Sequence, residues 1–200
     1  MIYKLAHCSN GTSVFILLLA GIAVSALAGA VIGFISYLSD DTRLRDLSLW
    51  QMGSLASADG ARVWTLAVAF GLLAWRLQRR AAALNALLLG EAEARHLGID
   101  VEALKRELVL LVALGVGLAV SAAGVIGFIG LVVPHFVRML NGPSHHSLLP
   151  LAALGGGLLL LLADVAARLL LAPAELPVGI LTALLGAPFF IMLLLQQRAG

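Results

Sequence analysis

Thirty consecutive residues, Leu108 to Val137, carry no formally charged side chain. A helix needs about 20 apolar residues to cross the ~30 Å hydrocarbon core of a bilayer. The run is therefore long for one crossing and short for two. It contains Gly124, Gly127 and Gly130 and then Pro134, and both residue types interrupt helices. The run is expected to divide near Ala123–Gly127 into two short spans. Irregular backbone at membrane depth is tolerated only where protein or a cavity covers it.

The rest of the chain repeats this pattern. Val14 to Leu38 is 25 residues without a charge. The hydrophobic region of a signal peptide is about 7–15 residues, so this run reads as a first span. Only 13 residues separate Arg62 from Arg76. A span there requires the two arginines to reach the interfaces along their aliphatic stems, or a short helix shielded by protein. Leu148–Leu171, which includes Asp164 and Arg168, and Pro177–Leu195 complete a set of about six. The composition agrees: 61% of residues are hydrophobic and 12% charged, against roughly 45–50% and 25% in soluble domains. The fold class is all-α, a polytopic transmembrane helix bundle forming one membrane domain over residues 1–200.

Basic residues near span ends set the orientation. Lys4, Arg76, Arg79, Arg80, Lys105, Arg106, Arg138 and Arg198 fall on one side when six crossings are counted. That side is the cytoplasm, with both chain ends in it. The opposite side mixes Arg43, Arg45, Arg62 and Arg168 with Asp40, Asp41, Asp46, Asp59 and Glu175. Reading Leu108–Val137 as one span would break the agreement. Gly29 and Gly33, paralleled by Ala26 and Ala30, have the spacing that lets helices approach closely in lipid. Gly155, Gly156 and Gly157 either do the same in the fifth span or kink it.

The largest polar segment between spans is residues 81–107. Glu91, Glu93, Arg95 and His96 lie among alanines and leucines, Gly98 is placed to stop a short helix, and Asp100 is placed to cap the next. Two short helices on the cytoplasmic face follow, and they form either a solvated loop or a docking surface. Asp164 and Arg168, four residues apart, share a helix face. A charge at mid-membrane costs about 2.5–3.5 kcal/mol on insertion scales. Spacing leaves two readings open, an internal ion pair or an Arg168 that reaches an acidic partner. Pro173, Glu175 and Pro177 shape the turn before the last span, which Pro177 can open. His145 and His146 read as polar loop residues, because no further Cys, His or acidic residue completes a metal-ligand spacing. Cys8 is the single cysteine and excludes an intrachain disulfide. The net charge of +2, with its basic residues dispersed, gives no nucleic-acid surface. There is no GxxxxGK[ST] phosphate loop and no nucleophile–base constellation. Any energy source is then a partner or an ion gradient.

Several stretches together resemble the FecCD-type permease family of ABC importers, which take up iron-siderophore, haem and cobalamin ligands. They are Leu18–Leu27, Trp50–Leu55, Leu89–Gly98, Gly127–His135, Leu148–Pro150, Ala163–Asp164, Glu175–Gly179 and Gly186–Pro188. The resemblance runs from about Thr12 to near the end of the chain. It implies a permease subunit in the bacterial inner membrane, surrounded by lipid and paired with a second copy. It also implies cytoplasmic ATPase subunits, which bind the ATP, and a periplasmic substrate-binding protein. The chain itself would hold no cofactor, no metal and no catalytic residue. Residues 81–107 would be the coupling segment, with Gly90, Glu91, Glu93, Ala94, Leu97 and Gly98 seated in a cleft of the ATPase. Arg168 resembles a position that faces a glutamate on the binding protein, which favours docking over the purely internal pair with Asp164. The first and last spans would line the pathway at the dimer interface.

The family has about ten spans, and this chain matches the last six. The segment between Leu55 and Leu84 is also shorter than its counterpart. The chain is accordingly expected to be a fragment or a truncated product. The competing reading is a remnant that inserts and binds partner subunits without transport. A proton-coupled carrier using Asp164 fits the motif order less well. Trp50–Leu55 leans the ligand toward haem.

Overall fold

Charge-free length governs where the long helices form in the computed structural model, which describes residues 7–8, 11–12, 14–56, 59–170 and 176–198. Ahead of the helices, His7–Cys8 (β1) pairs antiparallel with Gly11–Thr12 (β2). Helix α1, Val14–Tyr37, follows the first apolar run. Its 24 residues reach about 36 Å at 1.5 Å each, enough to cross a bilayer. The charged stretch after it winds into α2, Asp41–Gln51, with no buried residue and with Asp41 in the first turn, where the helix dipole favours a carboxylate.

Helix α3 spans Gly60–Arg79. Arg76 and Arg79 fall in its last turn, where the dipole favours cations, and the Arg79 guanidinium lies 4.1 Å over the Trp75 ring. Two short helices follow, α4 (Ala81–Leu87) and α5 (Glu91–His96). The thirty-residue apolar run is divided as expected. Helix α6 covers Val101–Ala123, residues 124–128 are non-helical, and α7 covers Ile129–Asn141. The helix capped by Asp100 is not a separate short one. Nothing between Val101 and Leu108 breaks a helix, so it continues into the span. Helix α8 is His145–Leu170 and α9 is Val178–Arg198.

Among the described residues, α1, α6 and α8 are long and apolar enough to cross a membrane, and α7 and α9 are shorter apolar helices. The six expected spans thus divide into three that stand alone by length and three, counting α3, that need protein cover. Helix α7 obtains cover from α8, the most extensive helix contact among the described residues. Gly155 makes this possible, since a Cβ there would meet Val133 Cγ1 at 3.1 Å. Gly156 has Ile129 Cγ2 at 3.6 Å by the same measure. Gly155 and Gly156 therefore form a packing face, a Cβ at Gly157 would meet nothing within 4 Å, and α8 runs through all three unbroken. On α1, Cβ atoms at Gly29 and Gly33 would meet nothing within 4 Å inside the chain. No described residue of the same chain packs against that spacing.

The core is made of small side chains. Ala163, Ala167 and Val178 are buried together, with Leu160, Leu176 and Leu181 packed against them. Large apolar side chains mostly face outward, Leu27 and Phe34 on α1 and Leu161 and Leu169 on α8 among them. Lipid tails are as apolar as leucine, so backbone approach rather than burial of large groups holds such helices together.

Side-chain bonds fix which helix ends share a face. Glu107, near the start of α6, pairs with Arg76 and Arg80 after α3. Gln78 Nε2 donates to the His146 carbonyl at 2.8 Å, and Asn85 on α4 binds the turn before α8. This end therefore gathers most of the basic residues expected on one side. At the other end, the Ser54 N–H donates to the Ala123 carbonyl at 2.9 Å, joining the loop after α2 to the end of α6.

Candidate functional site

Helix α5 is defined by a glycine at each end. Gly90 precedes it at φ +113° and Gly98 follows it at φ +81°. The Gly98 N–H donates to the Arg95 carbonyl at 2.9 Å and the Ile99 N–H to the Ala94 carbonyl at 3.1 Å. This bond pair is the Schellman arrangement, which needs a left-handed residue at the position of Gly98. The chain then turns at once into α6, where the Asp100 carboxylate accepts from the Ala103 N–H at 2.9 Å. The stop at Gly98 and the cap at Asp100 are both realised.

The sequence-derived residues of this segment separate into two groups. Ala94 is fully buried within the chain, as is Ala81 on α4, and Val101 and Leu104 on α6 are nearly so. Ala94 therefore seats α5 and has no surface to offer a partner. Glu91, Glu93, Leu97 and Gly98 are exposed, and Gly90 is half-buried. Two exposed neighbours, Leu88 and Leu89, lie inside the expected coupling segment without being named among its contact residues. Leu88 is 51% and Leu89 66% exposed, beside Leu97 at 63%, so three leucines stand out around the charged helix α5. Their only signal was an apolar triplet placed directly before Gly90.

Ion pairs bind the unit together. Lys105 Nζ lies 2.7 Å from Glu91 Oε1 and 3.8 Å from Glu102 Oε1. Arg95 lies 3.7 Å from Glu91 and 3.9 Å from Glu102. Glu107 Oε1 accepts from Arg76 Nε at 2.6 Å, and Glu107 Oε2 lies 2.6 Å from an Arg80 terminal nitrogen. Toward α8, Asn85 Oδ1 accepts from the His145 N–H at 2.7 Å and lies 3.0 Å from His145 Nδ1. His145 thus belongs to the turn that fastens α8 to α4. Among the described residues no group of three or more Cys, His, Asp or Glu side chains is placed to hold a metal.

Asp164 and Arg168 pair on α8, far along the helix from this unit. Arg168 Nε donates to Oδ2 at 2.9 Å and a terminal nitrogen to Oδ1 at 3.4 Å. The carboxylate is largely covered, while the guanidinium side chain is 47% exposed. The pair exists, and it leaves the arginine at the surface. Glu175, which precedes α9 in the sequence, lies outside the described residues.

Other motif segments meet at the same end of the molecule. Gly124 sits at φ +72°, and a Cβ there would run into the Trp50 carbonyl oxygen. A Cβ on Gly179 would run into the Met52 carbonyl oxygen and come within 2.9 Å of that of Val125. Phe128, just before α7, is the one positive-φ non-glycine among the described residues, at φ 66°. Trp50–Ser54, Gly124–Phe128 and the start of α9 thus interlock through their backbones.

Apolar helices of spanning length, a backbone break covered by protein, and a short polar helix pair at the basic end define a multi-pass membrane protein. The FecCD transport family matches residues 1–196, and the chain belongs to that family. It is 52% identical to the hemin transport system permease protein HmuU of Yersinia pestis over 99% of its length and 59% of that protein's. It is 46% identical to the vitamin B12 import system permease protein BtuC of Vibrio cholerae, over 91% of this chain and 55% of that one. A structure described as a metal-chelate type ABC transporter in an inward-facing conformation superposes with a TM-score of 0.86. The identity there is 38%, over 92% of this chain and 60% of the other. The chain therefore spans less than two thirds of the length of these relatives.

Proposed function

We propose that this chain is the membrane-spanning part of a permease in a binding-protein-dependent ABC importer for haem or a related metal chelate, driven by a separate ATPase. The observation that carries the reading is the helix pair α4–α5. It exposes Leu88, Leu89 and Leu97 together with Glu93, at the end where Arg76, Arg80 and Lys105 collect. That end faces the cytoplasm of a bacterial inner membrane by the distribution of basic residues. An apolar patch ringed by charge suits a cleft in a soluble partner, and residues 81–107 form the coupling segment that fills it. Gly90 and Gly98 set the angle of α5, and Ala94 anchors it from below. ATP binds to the partner.

At the opposite end, Asp164 orients Arg168 toward a carboxylate of the periplasmic binding protein. The exposed faces of α1 support pairing with a second permease copy. The identity with a hemin permease favours haem over cobalamin.

The test is uptake. A permease-null strain receives the gene that encodes this chain, with its ATPase and binding protein, and grows on haem as sole iron source. Expected is growth that Leu97→Asp abolishes while membrane insertion is retained. Growth restored by a ferric siderophore instead would reassign the ligand. No growth on any chelate would leave the non-transporting scaffold reading.

A further inference from the structure

Lys105 and Glu107 stand two residues apart on α6, about 200° apart around the helix axis, so they point to opposite sides. Each is bound to a different neighbour. Lys105 holds Glu91 of α5 at 2.7 Å, and Glu107 holds Arg76 and Arg80, at the end of α3, with one oxygen each at 2.6 Å. Neither is a loosely solvated surface group: the Lys105 side chain is 16% exposed and that of Glu107 20%. Ion pairs this close, on side chains this well covered, hold their partners more firmly than exposed surface pairs. Without them α5 would be held to α6 by the turn at residues 97–100, the contact of Ala94 and the longer Arg95–Glu102 pair at 3.9 Å.

We propose that Lys105 and Glu107 are positioning residues that form a strut across α6, through which a displacement of α5 reaches α6 and α3 together. The proposal rests on the permease reading, because it gives the strut a load. It also assigns Glu91 a role different from partner contact. That carboxylate is engaged by Lys105 inside the chain, and the partner meets Glu93 and the leucines. A lever of two short helices needs such bracing, since a push on an unbraced α5 would bend the turn and stop there.

The experiment is a charge swap in the full-length protein, read in two ways. Glu91→Lys and Lys105→Glu are made singly and together, with Lys105→Arg as the variant that keeps the charge. In detergent, amide hydrogen exchange over residues 91–100 is expected to rise about tenfold in each single variant and to return to near the wild-type rate in the double variant. In proteoliposomes with the ATPase and binding protein, the ATP hydrolysed per ligand imported is expected to rise several-fold in the single variants and to recover in the double variant and in Lys105→Arg. Exchange that stays high in the double variant overturns the strut. Exchange that recovers while transport does not overturns the coupling role and returns Glu91 to the partner interface. If wild-type protein hydrolyses ATP with its partners but imports nothing, the permease reading fails, and the exchange result still decides the strut.

Discussion

Helices α1 and α8 are nearly alike in length and apolar character, yet they stand in opposite surroundings. Helix α1 has 24 residues, and its substantial helix contact is with α2. Helix α8 has 26 residues and packs on α3, α4, α7 and α9. Both contain glycines, four residues apart at Gly29 and Gly33 in α1 and consecutive at Gly155, Gly156 and Gly157 in α8. In α8, Gly155 and Gly156 lie against Val133 and Ile129, whereas in α1, Gly21, Gly29 and Gly33 lie against nothing. The contrast separates two things that a hydrophobic run encodes together. Length and apolarity license insertion, but a place in the bundle needs a neighbour whose side chain fits the gap left by the small residue.

The contrast can be tested from its strong side to its weak side. Replacing Gly155 with Leu should force α7 from α8 and destabilise the chain by about 1–3 kcal/mol, the usual cost of overpacking. A thermal melt in detergent would show the loss, and an unchanged melt would mean that α7 is not held there. Removing the carboxylate with Asp164→Asn should cost less, about 0.3–1 kcal/mol, because the pair is an i,i+4 pair with a half-exposed arginine. Raising the salt concentration should erase most of that difference. Replacing Gly29 and Gly33 together with Ile should change the melt by less than about 0.5 kcal/mol, as expected for positions without neighbours. In a Cys8→Ser background, the same double change should still abolish disulfide crosslinking between two copies carrying Ser25→Cys. Crosslinking that survives it would place the second copy elsewhere.

The elements that could be read from the sequence are those set by local chemistry. The apolar runs gave α1, α6 and α8, Gly124 marked the division of the thirty-residue run, and Gly98 and Asp100 marked the end of one helix and the start of another. The third helix was harder, because its charge-free stretch of 13 residues is shorter than a bilayer and its placement depends on α6 and α8 beside it. Contacts between remote residues were not legible. Arg76 and Glu107 are 31 residues apart, and Asn85 and His145 are 60 apart, so no helical spacing links them. Within the candidate site, the glycines and acidic residues stood out by type. The burial of Ala94 and the exposure of Leu88 and Leu89 depended on which way α5 lies on α6.

The interlock of Gly124 and Gly179 with the carbonyls of Trp50, Met52 and Val125 has a consequence for how such a chain tolerates mutation. Its contacts are made by peptide oxygens, which every residue possesses. The identities at positions 50, 52 and 125 are therefore free to drift so far as this joint is concerned. The two glycines have no such latitude, since every replacement brings at least a Cβ into occupied space. A saturation library scored for folded protein would show tolerance at the three positions whose carbonyls form the joint and near-complete depletion at the two glycines facing them.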